Sequence, residues 1–303
     1  MAAALLRPQD ELQVVTVVSS EESRAFGEAL LRPFLEQTPS GSSGGSSGSS
    51  SGAATGAAAA AAALPALAAS PVVLIKGDQR LSDVIAEYAE ASRADLVVCG
   101  SHHLSTTGTR DDPMPASGSF ALRLVRAVRC CPLLVVKSNS TGAYLRSGTA
   151  AAGLRVMVDC QSNTRHLLSW LMDRLDPDKA TLFLAVGRAV DQGTGMVKET
   201  ARRMLTNYTA QATVSDFYTA QRLFKEPGAK ALPEAAQVDG VDIIALQAPP
   251  CKTLPQSISD VLHGARTSIL VFNAPVAQDA ALLGGDDLAV GMTAGAALAG
   301  ARV

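Results

Sequence analysis

The sequence contains few cysteines and few aromatic residues, and it lacks long hydrophobic runs. Its five cysteines in 303 residues form no Cys-x-x-Cys pair. This argues against a disulfide-built secreted domain and predicts reduced thiols in the cytoplasm. No membrane-like run of eighteen apolar residues occurs, since Ala57–Ala63 is alanine alone. The opening sequence MAAALLRPQDE lacks the apolar core of a signal peptide, so we expect none.

The charge balance also excludes some partners. The formal net charge is −2, with 26 basic and 28 acidic residues. A chain with no basic surplus has no electrostatic basis for binding nucleic acid or an anionic membrane. The composition, 47% hydrophobic and 18% charged, is that of a globular protein long enough for two domains.

The most informative stretch lies between residues 94 and 137. Ala94–Cys99 is a short apolar run that ends at Gly100-Ser101 and predicts a strand buried on both faces. Gly118-Ser119 then precedes an amphipathic helical pattern, and Leu133–Val136 is another apolar strand. Such a loop lies at the carboxyl end of a strand, where free main-chain N–H groups and a helix N-terminus suit a phosphate.

This stretch resembles the last two strands of the universal stress protein family and their phosphate loop, Gly-x2-Gly-x9-Gly-Ser/Thr. Gly100, Gly118 and Ser119 match this motif. His103 stands where the second glycine belongs, with fourteen residues before Gly118 instead of nine. Alternatively, Gly108 is the second glycine, because nine residues separate it from Gly118. The resemblance implies a flavodoxin-like α/β fold, binding of ATP or another adenine nucleotide, association between such domains, and a role in stress response.

The N-terminal part fits the same family from its second strand onward. LLRPQDELQVVTVV is similar to the family's junction before that strand, which makes Leu12–Val18 the second strand. The first strand and most of the first helix are then missing. A competing alignment makes Leu12–Val18 the first strand. It places Val18 at the position where the family has its adenine-contacting aspartate. Val72–Ile75 is the next predicted strand, and Leu81–Ala89 has the spacing of a core-facing helix.

The pattern starts again at Leu154, which predicts a second copy. LRVMVDCQSNTRHLLSWL resembles the family's opening, and Asp159 falls on its adenine-site aspartate. The later elements predicted for this copy are the strands Thr181–Val186, Thr213–Tyr218, Val241–Leu246 and Ser268–Phe272 and the helix Met196–Tyr208.

The second copy lacks the glycine loop. Gly100 corresponds to Gln247, which is followed by Ala248, Pro249 and Pro250, and proline offers no N–H to a phosphate. The first copy keeps the loop without the aspartate strand, and the second keeps the strand without the loop. Two arrangements are open: Leu154–Asp159 fills the gap in the first copy and forms a composite site, or it stays in its own copy.

The candidate nucleotide-binding residues share a place at predicted strand ends or in the loop. They are Gly100, Ser101, His103, Gly108, Gly118, Ser119 and Asp159. Purely structural roles are the alternative for these residues. The glycines would form an ordinary strand-to-helix turn with Ser119 as the helix N-cap, and Asp159 would cap a helix that begins near Ser162. The sequence places no third ligand near His102-His103, so we expect no metal site. No GxSxG or HExxH pattern occurs, and we expect no catalysis.

The predicted fold is α/β, with two tandem flavodoxin-like three-layer units that contain parallel sheets. The first unit spans 1–138 and includes a disordered Ser/Gly/Ala insertion at 39–70. A linker at 139–153, a degenerate second unit at 154–273 and a disordered tail at 274–303 follow. The predicted function is adenine-nucleotide binding in a cytoplasmic regulatory protein, as the resemblance implies. We expect a homodimer or an association with other domains of the same family type. The alternative is a degenerate interaction scaffold that binds no nucleotide.

Overall fold

The computed structural model describes most of both halves of the chain. The described residues are Leu5, Arg7 and the ranges 10–36, 69–100, 120–137, 153–161, 164–187, 195–226, 228–249 and 254–273. They form an α/β structure with helices on both faces of a sheet, which confirms the predicted fold class. The predicted tail and linker, except Gly153, lie outside these residues, as does the insertion except for its last two residues. Within the described part of the chain, no helix has the length and apolarity needed to cross a bilayer.

The N-terminal half alternates strands and helices. Its elements are β1 (Leu12–Val18), α1 (Arg24–Glu36), β2 (Ala69–Ile75), α2 (Leu81–Ala91), β3 (Val97–Gly100), α3 (Phe120–Ala127) and β4 (Leu133–Val136). β2 begins at Ala69, so the predicted insertion was too long by two residues at its C-terminal end. Both Ala69 and Ser70 pair with β1, and Pro71 does not prevent the pairing.

Among the described residues, the C-terminal half has the same alternation with one more strand and one more helix than the N-terminal half. Its elements are β5 (Leu154–Asp159), α4 (Arg165–Arg174), β6 (Ala180–Val186), α5 (Gly195–Val214), β7 (Tyr218–Leu223), α6 (Gly228–Val238), β8 (Ile243–Ala248), α7 (Gln256–Gly264) and β9 (Ser268–Asn273). The predicted strand Thr213–Tyr218 is wrong. The helix continues to Val214, and a turn with Asp216 at φ +60° leads into β7.

Seven strands form one sheet in the order β3-β4-β9-β8-β5-β6-β7, and β1 and β2 form a separate parallel pair. All neighbours in the large sheet are parallel except β4 and β9, which are antiparallel, with Leu134 opposite Leu270. The two halves therefore share a sheet, which the sequence did not predict. β5 pairs with β6 and β8, so the hypothesis that Leu154–Asp159 completes the N-terminal half is wrong.

Apolar side chains cover both faces of the large sheet. On one face, Leu133 and Met157 pack among residues of α3, α6 and α7. On the other face, Leu134 and Val156 pack among residues of α4 and α5. Neighbouring residues of one strand point to opposite faces, so a sheet covered on both sides requires strands that are apolar throughout. This explains why β4 and β9 contain almost no polar residues.

Two polar side chains connect the halves at the antiparallel junction. Lys137, directly after β4, donates from Nζ to the main-chain oxygen of Leu262 in α7 at 2.6 Å. Asn273, at the end of β9, donates from Nδ2 to the main-chain oxygen of Val128, just after α3, also at 2.6 Å. Each side chain thus satisfies a carbonyl near the C-terminus of a helix in the other half.

The residues before β1 pack against the C-terminal half. Leu5 is fully buried in the same core as Leu134 and the residues of α4. Arg7 pairs with Asp173, and Arg174 Nη1 lies 2.7 Å from Asp10 Oδ2. These contacts attach the beginning of the N-terminal half to α4.

Candidate functional site

Gly100 is the candidate loop residue that the structure describes. It is the last residue of β3 and is exposed at the carboxyl end of that strand. β3 is parallel to β4, and α3 connects them after the loop, beginning at Phe120, the residue after Ser119. The other predicted loop residues lie outside the described residues: Ser101, His103, Gly108, Gly118 and Ser119. The described elements therefore have the strand, helix and strand order expected around a phosphate loop.

Asp159 is the last residue of β5 and is buried at the carboxyl end of that strand. It is 9% exposed, and its Oδ2 accepts a hydrogen bond from Gln161 Nε2 at 2.7 Å. Burial raises the pKa of this carboxyl group, and the hydrogen bond from Gln161 partly opposes that rise. The predicted helix-capping role is not seen, because α4 begins at Arg165 with Thr164 before it and the Asp159 side chain bonds Gln161 instead.

Further groups near Asp159 were missed by the sequence analysis. A Cβ on Gly228 would lie 3.6 Å from Asp159 Oδ1 and 3.8 Å from the Cα of Gly187, so Gly228 lies beside the carboxylate and Gly187 lies beside Gly228. Tyr208 donates its hydroxyl to the main-chain oxygen of Gln161 at 2.7 Å. Gly187 directly follows β6 and Gly228 begins α6, so their positions beside strand and helix ends were the available signal.

The structure does not bring Gly100 and Asp159 together. β4 and β9 run antiparallel, whereas β3 is parallel to β4, and β5 belongs to the parallel set that contains β9. β3 and β5 therefore run in opposite directions, and their carboxyl ends point to opposite sides of the sheet along the strand direction. Three strands lie between them. A single nucleotide cannot contact both residues, so the composite site is excluded.

The position corresponding to Gly100 in the C-terminal half is filled by a side chain. Gln247 in β8 is 2% exposed, and its Nε2 lies 3.3 Å from the oxygen of Ala248 and 3.4 Å from that of Phe272. Pro249 follows β8 and has no N–H group to offer. Of the described residues at this end of β8, the buried Gln247 and Pro249 offer no exposed main-chain donor to a phosphate.

No cluster of metal-ligating side chains is found in the described ranges. His102 and His103 lie outside them, so the structure does not describe that pair. Of the described cysteines, Cys130 is exposed, Cys99 is half-buried, and Cys131 and Cys160 are buried. Burial raises the pKa of the Cys99 and Cys160 thiols to about 12. These thiols are poor nucleophiles at neutral pH.

The universal stress protein family model matches residues 1–137. Residues 1–137 are therefore the part of the chain that is similar to this family. The match ends directly after β4, so it includes β3, α3, β4 and the loop that follows Gly100. No curated protein matches the chain significantly.

Solved universal stress proteins share the fold across both halves. A universal stress protein from Archaeoglobus fulgidus DSM 4304 is 11% identical with a TM-score of 0.54, covering 88% of this chain and 87% of its own. A candidate universal stress protein from Pseudomonas aeruginosa UCBPP-PA14 is 14% identical with a TM-score of 0.55, covering 87% and 83%. A functionally unknown protein from Pseudomonas aeruginosa PAO1 is 14% identical with a TM-score of 0.54, covering 88% and 83%. At this identity the likeness shows the fold alone.

Proposed function

We propose that the protein is a cytoplasmic regulator of the universal stress protein type that binds an adenine nucleotide through its N-terminal half. The observation that carries this proposal is the position of Gly100. It ends β3 in an exposed position, and β3, α3 and β4 form a parallel crossover within the segment that the family model matches. The binding groups are the main-chain N–H groups of the loop between Gly100 and Ser119.

Main-chain N–H groups suit a phosphate in this place for a physical reason. The carboxyl ends of parallel strands form the crevice in which open α/β sheets bind ligands. Glycine has no Cβ, so a phosphate can approach the backbone closely. The N-terminus of α3 adds unpaired N–H groups and a partial positive charge.

The C-terminal half is not part of the proposed site. Gln247 lies buried where Gly100 is exposed, and Pro249 has no N–H to donate. Asp159 is buried and already bonded to Gln161. A nucleotide held by the N-terminal loop therefore leaves Asp159 untouched, and Asp159 serves as an internal control.

The second candidate function is an interaction scaffold that binds no nucleotide. It is favoured because Gly100 and Asp159 lie at the carboxyl ends of strands that run in opposite directions. Neither half then combines a glycine loop with the aspartate. The pairing of β4 with β9 also joins the two halves of one chain without a ligand.

Equilibrium dialysis with labelled ATP separates the two functions. The nucleotide proposal predicts saturable binding by the parent protein, at least tenfold weaker binding by Gly118→Asp, and unchanged binding by Asp159→Asn. A carboxylate at Gly118 repels the phosphates, whereas Asp159 is remote from them. Circular dichroism of each variant verifies folding. No binding by the parent protein overturns the proposal and favours the scaffold.

The proposal includes binding without turnover. We expect ATP hydrolysis by the parent protein to equal that of Gly118→Asp within error. Hydrolysis clearly above that control, with saturation at the dialysis affinity, would instead identify an enzyme.

A further inference from the structure

Two adjacent cysteines, Cys130 and Cys131, lie in the turn between α3 and β4. Cys130 is exposed, whereas Cys131 is 3% exposed and packs in the core on the α3 side of the sheet. Gly100 pairs with Val136, the last residue of β4. The two cysteines precede β4 and therefore lie at the other end of that strand from the proposed nucleotide loop. The pair is thus a chemical feature that the proposed function does not use.

The two sulfur atoms lie at a distance typical of two thiols that bind one atom. Cys130 Sγ donates a hydrogen bond to Cys131 Sγ across 3.8 Å. Two thiolates bound to one tetrahedral centre at about 2.3 Å are separated by about 3.8 Å. Trivalent arsenic needs a slightly smaller separation, because its bonds to sulfur are similar in length and the angle between them is narrower. Both thiols can therefore bind one thiophilic atom with little movement of their side chains.

A disulfide between the same two residues fits less well. Its sulfur atoms would have to approach to about 2.05 Å, and the Cα atoms of a relaxed disulfide are at least about 4.4 Å apart. Adjacent residues joined by a trans peptide bond have Cα atoms only about 3.8 Å apart. No peptide bond between described residues is cis. The geometry therefore favours a bridging atom over a direct bond between the sulfurs.

The surroundings of the pair fit a centre that needs two protein ligands. No group of three or more metal-ligating side chains is found among the described residues. The charge of Asp95 reaches Cys131, but this carboxylate lies 3.6 Å from Arg174 Nη2. Structural zinc sites take four protein ligands. Two thiols instead suit a trivalent organoarsenical, which brings its own third substituent.

The two thiols differ in how they enter such a reaction. Burial raises the pKa of the Cys131 thiol, and the neighbouring Cys130 raises it further. Cys131 is therefore a neutral thiol at pH 7. An arsenic–sulfur bond forms from a neutral thiol, because the hydroxyl group that leaves arsenic takes up the thiol proton. The exposed Cys130 meets the arsenical first, and Cys131 then completes the bridge from 3.8 Å away.

We propose that Cys130 and Cys131 form a dithiol site that binds trivalent arsenicals. The hydrated arsenical carries two hydroxyl groups on arsenic. Two arsenic–sulfur bonds form and two arsenic–oxygen bonds break, and the two thiol protons leave in two molecules of water. Arsenic stays trivalent and neither sulfur is oxidised, so the step needs no oxidant or reductant. The site is independent of nucleotide binding.

Phenylarsine oxide is the probe that tests the proposal on the reduced full chain. Intact-mass spectrometry should show one phenylarsenic group per chain, with the loss of two free thiols. The adduct should survive excess glutathione, which is a monothiol and displaces arsenic from single cysteines. It should be removed by 2,3-dimercaptopropanol, which offers two thiols of its own.

Matched serine variants test whether both cysteines bind. Cys130→Ser and Cys131→Ser should each lower the glutathione-resistant adduct at least tenfold, because either change leaves one arsenic–sulfur bond. Cys160→Ser is the control, since Cys160 is buried in the core on the other face of the sheet, and its adduct should stay within twofold of the parent. Circular dichroism verifies folding. Because Cys130 is exposed, Cys130→Ser tests the bridge even if Cys131→Ser does not fold.

Thermal unfolding tests whether the native fold holds the two thiols in place. The unfolded chain also contains adjacent cysteines, so the probe raises the melting temperature only if the folded state binds it more tightly. We expect a higher melting temperature for the parent protein with phenylarsine oxide. The melting temperature of Cys130→Ser should not change when the probe is added.

Three results would overturn the proposal. One is complete removal of the adduct by glutathione, which identifies binding by single thiols. A second is a glutathione-resistant adduct that persists in Cys130→Ser, which places the site on other cysteines. A third is a melting temperature of the parent protein that stays the same or falls with the probe. Cys131 would then have to leave its native position to bind arsenic.

Discussion

Truncation of Leu134 tests whether the two halves unfold as one cooperative unit. Leu134 belongs to β4 in the N-terminal half, is fully buried, and lies opposite Leu270 of β9. It packs in the core that contains Leu167 and borders Trp170, both in α4. Leu134→Ala should therefore destabilise a core formed mostly by the other half.

The expected magnitude follows from the burial of Leu134. A fully buried leucine truncated to alanine loses about 2–5 kcal/mol of unfolding free energy, since a cavity remains. With a urea dependence of about 2–3 kcal/mol per molar, a loss of about 3 kcal/mol lowers the midpoint by about 1 M. Val238→Ala is the matched control, because Val238 is 87% exposed. Its unfolding free energy should change by less than about 0.5 kcal/mol.

Trp170 fluorescence is the appropriate assay, because Trp170 is the one tryptophan of the chain and lies in the C-terminal half. The reasoning predicts that Leu134→Ala shifts the Trp170 unfolding transition in urea. A Trp170 transition identical to that of the parent protein would refute it. The halves would then unfold independently, and the β4–β9 junction would contribute no stability to the C-terminal half.

Three further predictions follow from the described contacts. Burial raises the pKa of Cys160 to about 12. Alkylation of Cys160 at pH 8, followed by mass spectrometry, should therefore be at least tenfold slower in the native protein than in urea. The exposed Cys130 should react equally fast in both conditions. Burial raises the pKa of Asp159, so the folded state keeps this proton to higher pH than the unfolded state, and stability falls as pH rises through that window. Asp159→Asn removes this loss of stability, so the gain in urea midpoint relative to the parent protein should be larger at pH 7 than at pH 3. An equal gain at both pH values would contradict the raised pKa of Asp159. Asn273→Ala leaves the buried main-chain oxygen of Val128 without the donor that lies 2.6 Å from it. Thermal unfolding should therefore show a loss of about 1–2 kcal/mol in the free energy of unfolding. An unchanged melting temperature would count against this hydrogen bond.

Periodicity was sufficient to predict most of the helices and strands. Leu81–Ala89 has apolar residues at the spacing of a core-facing helix, and α2 covers Leu81–Ala91. Leu133–Val136 is apolar throughout, and it is a strand buried on both faces. In both cases burial alone determines the pattern, so the sequence carries the information. The predicted strand Thr213–Tyr218 is wrong because α5 continues for six residues, fewer than two turns, beyond the predicted end at Tyr208, to Val214.

Strand order could not be predicted in the same way. β4 and β9 are apolar on both faces, and such strands give no signal of which neighbour they pair with or in which direction. Leu154–Asp159 fits either half by composition, and the seventeen residues between Val136 and Leu154 allow both. The observed pairing with β6 and β8 depends on contacts far apart in sequence. The composite site failed for that reason, since each candidate residue was placed at a strand end but the relative direction of the strands was unknown.

Amide exchange of β4 measured by NMR tests the central claim most directly. In the continuous sheet, Leu133, Leu134 and Val135 pair with β3 on one side and with β9 on the other. Their amides should therefore all exchange as slowly as those of Val156–Val158 in β5, which also has a neighbour on each side. If alternate amides of β4 exchanged at the rate of an unpaired edge strand, β4 and β9 would not be joined, and the description of one sheet shared by two halves would be wrong.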